Sequence, residues 1–271
     1  SMCRWVAYSG PPLYLDELLL RPEHSLLVQS RHAREATFEV NADGFGIGWY
    51  TERSTPGVYH DTRPAWNDWN LSSIAAHIRS PLFFGHIRAA VGSEVVRSNC
   101  HPFRHGNWLF GHNGAIGEFE KIKHELDMQI DADLYGEKIG QTDTETMFLL
   151  ALTLGMQDDP FGGLCRMIER VEAAREAAGV KESFHMTVAV ADGESLYAAR
   201  YASFGKQPSL YHSTPDVVLM AGDGGPIELP KTGYLVLSEP LDEVVDHWQE
   251  VPESSRLLIH KKNATIAPLF G

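Results

Sequence analysis

The sequence predicts one domain of sheets and helices in stacked layers, and three observations carry that prediction. Strand-like stretches recur through the first 112 residues, two long helical patterns follow between Thr144 and Ala178, and the last third is mostly β. A chain of 271 residues with 43% hydrophobic and 22% charged residues is long enough to bury a full core. That composition excludes a disordered or fibrous protein. No repeat, heptad run or low-complexity tract appears, and the 24 glycines and 15 prolines are spread along the chain without marking a linker.

The first strands are expected at Arg4 to Tyr8 and at Gly46 to Thr51, where Ile47 and Trp49 alternate with small residues as on a half-buried pleated surface. Two more follow at Leu82 to Arg88 and Trp108 to His112. Short helices are expected at Asp16 to Leu20, Leu71 to Arg79 and Phe119 to Leu126. The longer helix from Thr144 to Gly155 carries Met147, Leu150, Ala151 and Leu154 at helical spacing. Its successor, Leu164 to Ala178, has a polar face of Arg166, Glu169, Arg170, Glu172 and Glu176 and stops at Gly179. Beyond it, His185 to Ala191 and Ser195 to Tyr201 flank Asp192-Gly193-Glu194 as a hairpin. Further strands are expected near Val217 to Ala221, Tyr234 to Ser238 and Leu257 to His260.

Charge and length narrow the function classes. With 23 Lys plus Arg against 36 Asp plus Glu, the net charge of −13 repels a polyanion, which argues against nucleic acid as a partner. The longest apolar run, from Met147 to Leu154, is well below the roughly 20 residues of a membrane span. The N-terminus has no basic region followed by an apolar stretch, so no signal peptide and a cytoplasmic location are expected. Cys3, Cys100 and Cys165, an odd and scattered set, make no disulfide framework.

Four small constellations carry chemistry. Cys3 becomes N-terminal once Met2 is removed, which sets a thiol beside an α-amine whose pKa, near 7.7 to 8.0, makes it a usable base. On position alone the inert, buried start of a strand is the leading reading. Gly111-His112-Asn113-Gly114 reads as a tight turn after a strand, or as an oxyanion hole made by the Asn113 amide and the Gly114 N–H. Gly85-His86-Ile87-Arg88 puts an arginine at the end of an apolar strand, facing solvent or holding a substrate carboxylate with its planar fork. Gln141-Thr142-Asp143-Thr144-Glu145 opens a helix with capping-box spacing, and a carboxylate there is alternatively a site for a substrate ammonium.

In their order and identity the four resemble the class II glutamine amidotransferases, which are N-terminal-nucleophile hydrolases. Asn41-Ala42-Asp43-Gly44-Phe45-Gly46-Ile47-Gly48-Trp49-Tyr50, Asn99-Cys100-His101-Pro102-Phe103 and Ser238-Glu239-Pro240-Leu241 look like the stand-alone branch, which includes the γ-glutamyl amidohydrolase of ergothioneine biosynthesis and the amidotransferase-like subunit of glutathione degradation. The resemblance covers nearly the whole chain. It implies an α+β fold, a four-layer αββα sandwich of two antiparallel sheets between helices, filling residues 3–271 as one domain. It also implies Cys3 as nucleophile with its own α-amine as base, Asn113 and Gly114 as oxyanion hole, Arg88 on the α-carboxylate of a γ-glutamyl group and Asp143 on its α-ammonium. Arg31 and His86 are carried over as supporting residues.

The implied activity is hydrolysis of a γ-glutamyl amide bond through a thioester on Cys3, without metal or cofactor and with water as acceptor. Two alternatives stay open: a glutaminase subunit that delivers ammonia to a separate synthase or works beside a peptidase subunit, and a non-catalytic γ-glutamyl-binding regulatory subunit. A metallohydrolase built on Cys100, His101, His105 and His112 ranks below these, because their spacing matches no closed zinc site. Nothing here sets the oligomeric state. In the glutamine-specific synthases the arginine is followed by Trp-Ala-Thr-His, whereas Arg88 is followed by Ala89-Ala90-Val91-Gly92. Loss of those polar partners implies that free glutamine is a poor substrate. Ser1 reads as a remnant ahead of the initiator Met2.

Overall fold

The computed structural model describes residues 3–29, 43–89 and 94–271. Its strands are β1 (Arg4–Tyr14), β2 (Phe45–Trp49), β3 (Gly57–Asp61), β4 (Arg79–Ile87), β5 (Phe103–His105), β6 (Trp108–Ile116), β7 (Phe184–Ala191) and β8 (Leu196–Ala202). The chain continues with β9 (Tyr211–Ser213), β10 (Val218–Met220), β11 (Pro226–Glu228), β12 (Tyr234–Leu237), β13 (Trp248–Glu250), β14 (Ser255–His260) and β15 (Asn263–Pro268). Among the described residues the labelled helices are α1 (Leu15–Leu19), α2 (Trp69–His77), α3 (Lys123–Asp127), α4 (Ala132–Tyr135), α5 (Asp143–Thr153) and α6 (Pro160–Ala177).

Seven strands form one sheet in the order β13-β9-β12-β1-β4-β2-β3, six form a second in the order β15-β14-β8-β7-β6-β5, and β10-β11 is a small ribbon. Every pairing in both large sheets is antiparallel. Three apolar clusters separate the layers. Val6, Tyr8, Phe83 and Ile87 pack against Leu15, Leu18, Leu71 and Ala75 of α1 and α2. Trp5, Ala7, Leu82 and Phe84 meet Leu109, Ala189, Ala198 and Leu257 between the sheets. Phe110, Met186 and Val188 face Met147, Phe148, Leu150, Leu164 and Ile168 of α5 and α6. The expected four-layer αββα sandwich is therefore observed. Alternation along β1 explains it: Trp5 and Ala7 point to the inner layer, Val6 and Tyr8 to the outer helices, and the strand is buried on both faces. Full burial of an aromatic such as Trp5 contributes roughly 1.5–3 kcal/mol.

Several local expectations change. Phe119 to Leu126 is not one helix but a short 3-10 turn, Phe119–Lys121, followed by α3. β3, β5, β9, β11, β13 and β15 are not expected from the pattern; β3 has half-buried Val58, Tyr59 and His60 on both faces, so no alternation marks it. Asn113 and Gly114 do not turn the chain. β6 runs through them to Ile116 in unbroken register with β7, from Leu109 opposite Ala191 to Ile116 opposite Phe184. The hairpin about Gly193, at φ +98°, forms as expected between β7 and β8.

Candidate active site

The first wall of the site comes from the seven-stranded sheet. Arg4 lies opposite Ile87 in the β1–β4 pair, so Cys3, one residue before β1, sits beside Arg88 and Ala89, just past the end of β4. The Ala89 N–H donates to Cys3 Sγ at 3.4 Å, and the thiol donates toward the Ala89 carbonyl at 3.7 Å. Burial pushes the Cys3 thiol up from its ordinary value; the Ala89 amide and the Arg88 guanidinium pull it down, and the Asp143 carboxylate pushes it up. Because burial is the largest effect, the thiol is held protonated near neutral pH and needs a base to become a nucleophile.

Arg88 is 3% exposed, which corrects the solvent-facing reading of a strand-end arginine. Its backbone N–H donates to the Gly44 carbonyl at 2.9 Å and its Nη1 to the Asp43 carbonyl at 3.4 Å. A buried guanidinium whose backbone is pinned by Gly44 and whose Nη1 meets the Asp43 carbonyl is a rigid fork for a carboxylate.

The opposite wall is the second half of β6. Gly114 has φ +143°, and a Cβ built there would fall 2.0 Å from the His185 carbonyl oxygen of β7. Only glycine keeps this backbone in place. Asn113, directly before it, is 4% exposed, and its side-chain oxygen has no hydrogen-bond partner among the described residues.

The third component is the start of α5. Thr142 is the N-cap, its Oγ1 accepting the Glu145 N–H at 3.2 Å. The expected capping box is only half formed. Glu145 turns away from the N-cap and accepts the N–H groups of Ile139 and Gly140 at 2.9 and 2.7 Å, bracing the loop that leads into the helix. Asp143, the first helical residue, instead reaches β6, where its Oδ2 accepts the Ile116 N–H at 2.9 Å. The same strand thus carries Asn113 and Gly114 and fixes the Asp143 carboxylate.

Cys3, Arg88, Asn113, Gly114 and Asp143 all line one cavity of about 640 Å³. Its outer part is bounded by Gly117, Glu118, Phe119, Lys121, Glu182 and His185. Arg31 lies outside the described residues. His86 is 1% exposed and does not line the cavity; its Nε2 sits 3.0 Å from the His112 carbonyl, and burial lowers its pKa to about 3, so it acts as a neutral link between β4 and β6. The histidines and cysteine weighed as metal ligands are otherwise engaged. The Cys100 thiol donates to the Asp61 carbonyl, and His105 Nδ1 bonds the Glu137 carboxylate at 2.7 Å.

Ala89, His101, His112 and Thr144 also line the cavity without having been singled out for it. His112 and Thr144 belong to runs already read for their neighbours Asn113 and Asp143, and only side-chain direction distinguishes them. The contribution of Ala89 is a backbone amide, which no residue type announces.

The chain is similar to known proteins along nearly its whole length. The family model of class II glutamine amidotransferases matches residues 22–206. The chain is 32% identical over 303 aligned residues to the probable glutamine amidotransferase DUG3 of Saccharomyces cerevisiae, covering 99% of this chain and 85% of that one. It is 26% identical to the gamma-glutamyl-hercynylcysteine sulfoxide hydrolase of Mycolicibacterium smegmatis, over 99% of this chain and 100% of that one. The solved structure of a glutamine aminotransferase class-II domain protein from Silicibacter pomeroyi superposes with a TM-score of 0.74 at 34% identity, covering 99% of this chain and 100% of that chain. The glutamine phosphoribosylpyrophosphate amidotransferase of Bacillus subtilis shares the fold at a TM-score of 0.59 and 15% identity, over 98% of this chain and 49% of that one. With its family model spanning well over half the sequence and a third of its residues shared along the full length of a relative, the chain belongs to the class II glutamine amidotransferases.

Proposed function

We propose that the protein hydrolyses γ-glutamyl amides. The observation that carries this reading is the single cavity that gathers Cys3, Arg88, Asn113, Gly114 and Asp143, and the hydrolase relative named above supports it. Arg88 holds the α-carboxylate and Asp143 the α-ammonium, so opposite charges at fixed positions aim the γ-carbonyl at the sulfur. The Cys3 α-amine takes the thiol proton as Sγ attacks the carbonyl carbon. Negative charge then develops on the carbonyl oxygen between the Asn113 amide and the Gly114 N–H. The proton passes to the departing amine, and a γ-glutamyl thioester remains on Cys3. Water attacks the thioester, glutamate leaves, and the thiol is restored.

Free glutamine is the weaker substrate on this reading. Ala89, the first residue after Arg88, offers no polar side chain to a primary amide. The volume of about 640 Å³ is in the range of cavities, roughly 300–1,000 Å³, that enclose drug-sized ligands, which leaves room for a leaving group beyond the γ-carbonyl. The test is glutamate release from glutamine, γ-glutamyl dipeptides and γ-glutamyl thiol compounds under identical conditions. A larger γ-glutamyl amide is expected to give the highest kcat/KM; glutamine in first place would overturn the leaving-group assignment, and release from none of them would overturn the activity.

Gly114→Ala tests the oxyanion hole. The added methyl group must displace the backbone from the His185 carbonyl, which moves the N–H donor, and a loss of about 10² to 10³ in kcat is expected. Steady-state kinetics alongside thermal unfolding separates this from global destabilisation. A variant that folds and keeps its kcat would remove Gly114 from the mechanism.

A further inference from the structure

At the wall of the cavity and just behind it lies a group of buried polar side chains that the reaction as described does not use. His86, His101, His112 and Thr144 are each no more than 4% exposed. The rings of His86 and His101 lie against each other, tilted by 42° with centroids 4.0 Å apart. His101 Nδ1 accepts the His112 N–H at 3.4 Å, and His86 Nε2 lies 3.0 Å from the His112 carbonyl, so the His112 peptide is gripped on both sides. The imidazole of His112 then continues outward. Its Nδ1 is 2.9 Å from Thr144 Oγ1, and that hydroxyl is 3.3 Å from Asp143 Oδ1.

The direction of the protons follows from the end of this chain. A carboxylate only accepts, so the Thr144 hydroxyl donates to Asp143 Oδ1, and its oxygen accepts from His112 Nδ1 in the imidazole tautomer that carries its hydrogen there. With Ile116 N–H on Oδ2 and Thr144 on Oδ1, both oxygens of Asp143 have a fixed donor. Burial lowers the His112 pKa against the opposing pull of Asp143. A neutral imidazole matters here, because an imidazolium at that place would cancel the carboxylate charge that a substrate ammonium must meet.

We infer that Thr144 and His112 are positioning residues: they orient the Asp143 carboxylate for the substrate α-ammonium and contribute to recognition of the amino group without touching the reacting atoms. This rests on the γ-glutamyl reading of the site. The expected signature is selectivity for the ammonium group, since the carboxylate end of the substrate is held elsewhere, by Arg88.

The experiment measures competitive inhibition of γ-glutamyl-p-nitroanilide hydrolysis by glutamate and by glutarate, which lacks only the amino group, for the wild type, Thr144→Val, Thr144→Ser, His112→Asn and Asp143→Asn. Thr144→Val is expected to raise the inhibition constant of glutamate and the KM of the anilide about 10-fold, the scale of a hydrogen bond to a charged group. The constant for glutarate is expected to stay within about twofold, and kcat to fall less than KM rises. Thr144→Ser restores the wild-type values, and His112→Asn follows Thr144→Val in direction. Added to Asp143→Asn, Thr144→Val is expected to have little further effect, because both act through one carboxylate. Equal weakening of glutamate and glutarate by Thr144→Val, or weakening of neither, overturns the positioning role while leaving γ-glutamyl hydrolysis intact. If Asp143→Asn itself fails to separate glutamate from glutarate, the ammonium assignment falls and this inference with it. A wild type that does not hydrolyse the anilide overturns the underlying reading, a result distinct from either.

Discussion

Replacing Cys3 by alanine is expected to lower glutamate release by about 10⁴-fold or more, the scale on which removal of a covalent nucleophile acts. The substitution removes only Sγ, which hydrogen-bonds the N–H and carbonyl of Ala89. The strand that follows is held independently. Arg4 pairs with Glu239 and donates to Gln29, and the Trp5 N–H donates to Ser238 Oγ at 3.1 Å. The Trp5 indole N–H also reaches Thr187 Oγ1 across the sandwich at 3.2 Å. The variant is therefore expected to fold and to bind glutamate with an affinity within a few-fold of the wild type, because Arg88 and Asp143 are untouched. Steady-state kinetics and titration calorimetry on the same preparation check both halves. Substantial turnover by the alanine variant would end the thioester mechanism, whereas loss of binding as well would show that the cavity depends on the thiol for its shape.

The second large effect concerns the α-amine. Protein that begins at Cys3 is expected to exceed protein that retains Ser1-Met2 by about 10² to 10⁴ in kcat/KM, the usual contribution of a positioned general base. In the longer form the Cys3 nitrogen is an amide and has no basic lone pair. The same argument fixes the pH dependence. The base works only when neutral, so kcat/KM of the Cys3-start form should rise with pH and level off above the α-amine pKa, about 7.7 to 8.0 in its ordinary state. Burial holds the thiol above its ordinary value, so the thiol adds no earlier limb. The longer form should lack this ascending limb. Equal rates and parallel pH profiles from the two proteins would refute the free-amine base.

Much of the framework is legible in the sequence because it depends on local pattern. The run of Met147, Leu150 and Ala151 marks α5, which the structure bounds at Asp143–Thr153 with Thr142 as its cap. The polar stripe from Arg166 to Glu176 marks α6, although Pro160 starts that helix four residues before the expected Leu164, with Asp159 as N-cap. Local signals mislead where long-range pairing overrides them. Asn113-Gly114 has the composition of a hairpin turn, yet eight consecutive partners on β7, Phe184 to Ala191, keep it extended. Likewise Glu145 has the spacing to close a capping box, but the N–H groups of Ile139 and Gly140 stand unpaired until its carboxylate reaches them.

By itself the sequence determined which residue types were available and in what order: a cysteine at position 3, an arginine closing an apolar strand, Asn-Gly after His112, and an acid at a helix start. With the resemblance those motifs carry, this was enough to name a family. Only the tertiary structure decided that residues 3, 88, 113, 114 and 143 line one cavity. It also placed the Ala89 peptide on the sulfur and linked His112 through the Thr144 hydroxyl to Asp143. The reason is physical. Side-chain periodicity and capping are set by neighbours within a few residues, whereas convergence follows from pairing β1 with β4 in one sheet, packing that sheet on β6 in the other and docking α5 against β6. Those contacts join segments up to about 100 residues apart, at distances no local pattern records.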